Sequence, residues 1–163
     1  MTYKDGTTYK GELVSNQKHG RGILTFPNGN KYEGEFVADQ FEGIGKITTA
    51  EMTYEGEWKN GYCHGKGKEI WLDGIEYHGD FVSGIKSGYG ITKWPDGTIY
   101  EGSWKSGKMN GNGKLILNSG DIFTGNFLDG KKEGLGTLTL KNGESFKVLY
   151  SNGEIIPQEN GVQ

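Results

Sequence analysis

A five-residue pattern, aromatic-x-Gly-x-apolar, recurs along the chain at an almost constant interval. A Gly-x-Gly pair follows each copy in the same phase, from Gly20 and Gly22 in the first copy to Gly134 and Gly136 in the sixth. A degraded seventh copy starts at Phe146, where valine replaces the central glycine. The six full copies lie 22 or 23 residues apart and begin at Tyr9, Tyr32, Tyr54, Tyr77, Tyr100 and Phe123. Self-similarity at one fixed period indicates a tandem repeat protein.

Residue spacing inside the repeat predicts β-structure. Tyr54, Gly56 and Trp58 lie two residues apart, so a strand places all three on one face. Glu55 and Glu57 then occupy the opposite face. The same alternation continues through Gly-x-Gly, so each repeat is predicted to be a β-hairpin with an aromatic-and-glycine face and a largely charged face. Because glycine leaves gaps on the aromatic face, we expect rings of neighbouring strands to lie over those gaps.

Glycine-containing dipeptides mark the turns. Asn28-Gly29 belongs to a set that is expected to make tight turns between successive hairpins, and Asn60-Gly61 to a set expected in a longer loop inside each repeat. The junction at residues 49–53 has no glycine and is one residue short, so a local change of twist is expected there. The predicted fold class is all-β: an elongated single-sheet solenoid of stacked antiparallel β-hairpins with a period of about 23 residues.

The repeat also sets the predicted domain organisation. Residues 1–153 are predicted to form one array of about six and a half repeats, with residues 2–6 as a lone return strand. Residues 154–163 lose the periodicity and are predicted to be a C-terminal tail, either disordered or folded over the last strand. The two ends of the array offer unpaired strand edges, so a homodimer is one of the expected arrangements.

Composition narrows the function classes. The net charge of −3 argues against nucleic-acid binding. No apolar stretch approaches 18 residues and the N-terminus has no apolar h-region, so neither a transmembrane helix nor a signal peptide is expected. The lone Cys63 fits a reducing compartment, and a cytoplasmic location is expected.

Phosphate-binding and carboxylate chemistry are both disfavoured. Residues 102–108 match the first seven positions of a P-loop, but Met109 replaces the required Ser or Thr and the same frame recurs as a by-product of the repeat. Acidic pairs such as Glu33 and Glu35 resemble catalytic carboxylates, yet they alternate on an open strand without a pocket. A solvated face is the favoured interpretation.

Histidine and cysteine give no catalytic prediction either. His19 and His64 occupy equivalent positions before Gly-x-Gly, which indicates turn packing, and no Cys/His cluster has metal-ligand spacing. Cys63 lies beside His64, but a Cys-His nucleophile pair has no third group to orient it. No catalytic residue, metal or cofactor is predicted, and the chain is expected not to be an enzyme.

The repeat resembles the MORN (membrane occupation and recognition nexus) repeat, whose pattern is Tyr-x-Gly-x-Trp, a turn, and often His-Gly-x-Gly. Residues 54–61 followed by residues 64–67 carry it best, and the resemblance spans residues 9 to about 153. It implies a single-sheet solenoid of hairpins with an aromatic groove and a role in binding and scaffolding. Leu13 in the first copy and Val148 in the last depart from the pattern and suggest capping roles.

Two functions stay open at this point. The first is a non-enzymatic scaffold or adaptor that binds a helical or extended segment of another protein along the aromatic groove, as the resemblance implies for cytoskeletal, ciliary or membrane-junction assemblies. The alternative is a peripheral membrane tether for anionic phospholipids or phosphoinositides. The predicted partner-binding residues are Tyr32, Phe36, Tyr54, Trp58, Trp71, Tyr77, Phe81, Trp94, Tyr100 and Trp104. The candidate lipid-binding residues are Lys66, Lys68, Lys105, Lys108, Lys131 and Lys132.

Overall fold

The structure, a computed structural model, describes residues 1–157 and contains two compact units, Met1–Ile85 and Lys86–Gln163. Unit 1 holds strands that run antiparallel to their neighbours in chain order: β1 (Thr8–Val14), β2 (Gln17–Thr25), β3 (Lys31–Val37), β4 (Gln40–Thr48), β5 (Met52–Lys59), β6 (Tyr62–Trp71) and β7 (Glu76–Val82). Unit 2 continues in the same way, from a strand that begins at the boundary: β8 (Ile85–Lys93), β9 (Ile99–Lys105), β10 (Lys108–Ile116), β11 (Ile122–Leu128), β12 (Lys131–Thr139), β13 (Ser145–Ser151) and β14 (Glu154–Ile155). None of the described residues belongs to a helix long and apolar enough to cross a membrane. The predicted all-β fold of antiparallel hairpins is confirmed.

The two kinds of turn are exchanged relative to the sequence prediction. Inside each repeat only two residues join the strands, as at Asn60 and Gly61 between β5 and β6, where both φ angles are positive (51° and 81°). This type I′ geometry matches the right-handed twist of the strands it joins. Successive hairpins are joined by the longer loops. Residues 72–75 separate β6 from β7, and among them only Gly74 has positive φ.

A side chain closes the glycine-free junction between β4 and β5. The Thr49 hydroxyl accepts hydrogen bonds from the backbone N–H groups of Glu51 (3.2 Å) and Met52 (3.0 Å). The Thr49 backbone N–H donates to the Met52 carbonyl oxygen at 2.9 Å. Residues 49–51 therefore make a complete turn without glycine, because a threonine hydroxyl can satisfy the backbone donors of a short loop.

The Gly-x-Gly segments of β2, β4, β6, β10 and β12 each lie at a β-bulge that the sequence did not predict. In the β3–β4 pair Glu35 lies opposite Glu42, whereas the preceding residue lies opposite Gly45, so Gly43 and Ile44 have no partner in β3. Gly43 takes the left-handed conformation (φ 61°). The Glu35 carboxylate accepts the Ile44 backbone N–H at 3.2 Å, which satisfies a donor that the bulge removes from the ladder.

In five of the Gly-x-Gly pairs the second glycine forms the floor beneath an aromatic ring. A Cβ on Gly45 would lie 2.5 Å from Cζ of Tyr32, whose ring crosses over from the neighbouring strand. The Tyr32 hydroxyl donates to the Glu35 carbonyl oxygen at 2.9 Å and so fixes the ring in place. The expectation that rings lie over glycine gaps is confirmed. The same arrangement joins Tyr9 to Gly22, Tyr54 to Gly67, Tyr100 to Gly113 and Phe123 to Gly136.

Rings of consecutive repeats pack against each other and form the core. Tyr32 packs edge-to-face against Phe36 of its own repeat and Trp58 of the next, with ring centroids 5.1 and 5.3 Å apart. It also stacks on Phe41 at 3.7 Å. Such edge-to-face pairs contribute about 0.5–1.5 kcal/mol each beyond the area they bury. Because each ring bridges two repeats, the core is a row of aromatics rather than a central cluster.

Both ends depart from the repeat. Thr2 forms a single bridge with Thr8, so the predicted return strand over residues 2–6 is reduced to that bridge. Residues 154–155 of the predicted tail form β14, whereas residues 158–163 lie outside the described residues. Phe146, the seventh first-position aromatic, is 48% exposed. Val148 occupies the position that Gly125 has in the preceding repeat. A Cβ at Gly125 would lie 2.6 Å from Cζ of Phe123, so the side chain of Val148 would collide with the Phe146 ring if that ring lay as Phe123 does.

Candidate functional site

Seven of the ten predicted partner-binding aromatics are buried in the core. Their exposed fractions are 6% or less, so a partner on the surface would not touch them in this conformation. The physical reason is that the glycine floors let each ring sink between strands while the rings of the next repeat cover it. The prediction is corrected for Tyr32, Phe36, Tyr54, Trp58, Tyr77, Phe81 and Tyr100, which form the support beneath a surface.

The other three predicted residues, Trp71, Trp94 and Trp104, are partly exposed. They differ in whether the indole N–H has a hydrogen-bond acceptor within the described part of the chain. Trp104 donates to the Gly90 carbonyl oxygen at 3.3 Å, just as the buried Trp58 donates within unit 1. No described residue accepts a hydrogen bond from the indole of Trp94 or Trp71. A tryptophan that is partly exposed and whose N–H is open to solvent can offer both a flat apolar surface and a donor.

Trp94 lines an open hollow of about 540 Å³ in unit 2. Trp94, Met109 and Leu115 also pack on a buried cluster that contains Tyr100 and Phe123. The hollow is therefore apolar on its walls and rests on rigid rings. The repeat pattern predicted Trp94 as a binding residue but gave no sign of Met109 and Leu115, because their part in the hollow depends on side chains that meet across strands. The lining residues are Trp94, Pro95, Asp96, Thr98, Met109 and Leu115.

Trp94 is also the first member of a row of apolar residues that occurs once per hairpin. Leu117 and Leu140 occupy the equivalent positions, each directly before the loop to the next hairpin, and all three are partly exposed. The backbone N–H of each donates across its loop at 2.8–2.9 Å. We call Trp94, Leu117 and Leu140 the rim row. Their identical backbone setting means that they recur at the spacing of the hairpins.

The charged face also has hollows, in the same register of both units. In unit 1 a hollow of about 750 Å³ lies over glycines of β1–β4, and in unit 2 one of about 440 Å³ lies over glycines of β9–β11. Acidic and basic side chains alternate along the larger one, where Lys46 and Glu55 approach to 3.7 Å. Charges that neutralise each other leave little attraction for a charged ligand. The lining includes Lys10, Arg21, Ile23, Glu33, Glu35, Ile44, Lys46 and Glu55.

Five of the six candidate lipid-binding lysines contact a side chain within their own unit. Three of them form ion pairs: Lys66 with Asp80 (2.6 Å), Lys68 with Glu76 (3.2 Å) and Lys108 with Asp129 (3.9 Å). Lys131 donates a hydrogen bond to the Asn152 side chain at 2.8 Å. Lys105 is exposed. Lys132 lies over the rings of Phe123 and Tyr150, at 4.8 and 4.9 Å, and burial lowers its pKa. Lipid binding stays a prediction, and so does the homodimer.

Acidic and histidine side chains that resembled catalytic groups have structural contacts. Glu57 accepts the backbone N–H of Lys66 in a bulge at 2.8 Å, as Glu35 does in the preceding repeat. His64 Nδ1 accepts the backbone N–H of Ser83 at 3.4 Å, in the turn of the next repeat. Burial raises the pKa of the Cys63 thiol to about 12, which keeps it protonated and a poor nucleophile at neutral pH. Within residues 1–157 no group of three or more acidic, histidine or cysteine side chains could hold a metal ion.

Comparison with solved structures finds similar folds. The TCP10 domain of Danio rerio CPAP, in complex with a peptide of Danio rerio STIL, is 14% identical with a TM-score of 0.54, and the match covers 96% of this chain and 70% of that one. The TCP domain of Drosophila melanogaster SAS-4, in complex with a proline rich motif of Ana2, is 16% identical with a TM-score of 0.48, covering 91% and 95%. At this identity the first likeness concerns the fold alone.

Comparison with curated proteins finds no match. The family model described as the MORN repeat matches six segments, residues 9–31, 32–50, 54–75, 77–99, 100–122 and 123–145. Its second segment stops at the Thr49 junction, where the repeat is one residue short. Since the six segments account for most of the sequence and coincide with the hairpins, the chain belongs to the MORN repeat family.

Proposed function

We propose that the chain is a non-enzymatic scaffold or adaptor that binds a segment of another protein on the aromatic face of unit 2, at the hollow lined by Trp94. The observation that carries this proposal is the hollow itself: apolar walls, a rigid aromatic floor, and an indole N–H that no described residue engages. Large aromatic side chains over well-packed floors are the usual energetic centres of protein interfaces. A hollow of this kind therefore offers one anchor point for a partner side chain.

The fold likeness is consistent with this proposal. The TCP10 domain of Danio rerio CPAP, which has a similar fold, was solved with a peptide of another protein bound. We extend the proposal to a cytoplasmic role in a cytoskeletal, ciliary or membrane-junction assembly, which is what the MORN resemblance implies. The structural contacts of the acidic and histidine side chains support a binding role rather than a catalytic one.

A crosslinked pull-down from native lysate tests the proposal. The baits are the wild-type chain, Trp94→Ala, and Leu135→Ser as a matched control, because Leu135 is 58% exposed on the opposite face of unit 2. Partners held by the wild type and by Leu135→Ser but lost with Trp94→Ala are expected. Urea denaturation of each bait checks that the sheet is intact. Identical capture by all three folded baits would contradict the assignment of the site.

A further inference from the structure

The spacing of the rim row in unit 2 restricts the conformation of any segment that binds along it. Trp94, Leu117 and Leu140 recur once per hairpin. Two strands separate each member from the next, and neighbouring strands lie about 4.8 Å apart, so the row has a period of about 9.6 Å and spans about 19 Å. A segment that runs along the row and contacts each member must present equivalent side chains at that interval.

The three regular conformations of a peptide fit this interval differently. A polyproline II segment rises about 3.1 Å per residue with three residues per turn, so every third side chain points the same way and recurs at about 9.3 Å. An α-helix brings residues i and i+7 to one face, about 10.5 Å apart. After two such intervals its side chains lie about 1.8 Å beyond the corresponding members of the rim row. Three residues of a β-strand span about 9.9 Å, but successive third side chains point to opposite sides. Only polyproline II matches in both distance and direction.

We propose that the partner of the Trp94 hollow is a proline-rich segment in the polyproline II conformation, with a proline or apolar residue at every third position facing the rim row. This inference rests on the proposed function and specifies its ligand. The carbonyl groups of such a segment make no internal hydrogen bonds. The open indole N–H of Trp94 supplies a donor for one of them, and its ring supplies the flat surface on which prolines pack in known polyproline sites. Trp104, by contrast, donates its N–H within the sheet.

Charge on the same loops specifies the residues between the prolines. The loops that follow the rim row, residues 95–98, 118–121 and 141–144, contain Asp96, Asp121 and Glu144, one acid per hairpin, against one cation, Lys141. The Asp121 carboxylate accepts hydrogen bonds from the Lys141 backbone and the Ser119 hydroxyl, so it is held at the edge of the sheet. Acids repeated at the hairpin spacing favour a basic residue in each triplet of the partner.

Peptide binding measured by fluorescence anisotropy tests the inference. The probes are labelled peptides of four Pro-Pro-Lys triplets, four Gly-Gly-Lys triplets with the same charge but no polyproline II preference, and four Pro-Pro-Glu triplets with the charge reversed. The Pro-Pro-Lys peptide is expected to bind the full chain at least tenfold more tightly than either control. Trp94→Ala should weaken it about tenfold or more, Trp94→Phe and Leu117→Ser several-fold, and Leu135→Ser not at all.

Equal binding of the Pro-Pro-Lys and Gly-Gly-Lys peptides would overturn the inference, because attraction would then be a matter of charge alone. The inference would also be overturned if Trp94→Ala and Leu135→Ser, both folded, changed the affinity for the Pro-Pro-Lys peptide equally. The pull-down separates this failure from that of the proposed function. If partners are captured through Trp94 while the proline peptides do not bind, the interaction site stands and the polyproline assignment is wrong. If neither depends on Trp94, both proposals fall.

Discussion

Replacing Gly45 by alanine tests whether aromatic rings resting on glycine hold the repeats together. The new Cβ would lie 2.5 Å from Cζ of Tyr32, so the ring must shift or leave its place. A shift within a packed core costs about 1–3 kcal/mol. Leaving forfeits the hydrogen bond to Glu35, worth about 1 kcal/mol, and the edge-to-face contacts with Phe36 and Trp58, worth about 0.5–1.5 kcal/mol each. We therefore expect a loss of about 3 kcal/mol in the free energy of unfolding.

Gly29→Ala is the matched control. Gly29 has φ of 86°, but a methyl group added there would meet nothing within 4 Å, so its substitution incurs only the left-handed backbone penalty of about 1–2 kcal/mol. Urea denaturation followed by tyrosine and tryptophan fluorescence measures both variants. With a slope of about 2 kcal/mol per M, Gly45→Ala should lower the midpoint by about 0.5–1 M more than Gly29→Ala does.

A double-mutant cycle removes the remaining ambiguity. In a Tyr32→Leu background the ring no longer reaches Gly45, so Gly45→Ala should cost much less than it does in the wild type. Strictly additive effects would refute the idea that ring and glycine act as a pair. So would equal midpoints for Gly45→Ala and Gly29→Ala, since the collision would then be relieved without a measurable energy cost.

Three further substitutions follow from individual contacts. Thr92 is 3% exposed and its hydroxyl has no hydrogen-bond partner among residues 1–157. Thr92→Val should therefore raise the free energy of unfolding, measured by urea denaturation, by about 1 kcal/mol. A lower free energy of unfolding would show that the hydroxyl is hydrogen-bonded. Ala38 sits at φ 47° in a type I′ turn, and Ala38→Asn should stabilise by a few tenths to about 1 kcal/mol; the same change at Ala50, which lacks positive φ, should gain nothing. Burial raises the pKa of Tyr100 to about 12, so between pH 10 and 12 the unfolded chain loses a proton that the folded chain keeps, and stability should fall as pH rises. Tyr100→Phe should make the urea midpoint less sensitive to pH over that window, and an unchanged slope would contradict the assignment.

The sequence by itself determined the repeat, the strand periodicity and the two-faced hairpin, because alternation of side chains along a strand is a local property. It also predicted that rings would lie over glycines, since three glycines on one face leave gaps of ring size. The lengths of the two turns were exchanged because Asn-Gly and Asp-Gly dipeptides occur at both. The bulge at Gly43 was missed because a glycine inside a strand gives no sign of its φ angle.

Only the tertiary structure decided which aromatics are core and which are surface. Trp58 and Trp104 occupy the same position of the repeat, yet Trp58 is buried and Trp104 is partly exposed, although both donate the indole N–H to a backbone carbonyl. Trp94 is partly exposed as well, but no residue among 1–157 accepts a hydrogen bond from its indole. The exposure of each tryptophan depends on which ring of the next repeat covers it, and the hydrogen bond of its indole depends on which backbone carbonyl lies within reach. Those contacts join residues 13 or more positions apart, so they follow from packing between hairpins and not from the period that places the residues in them.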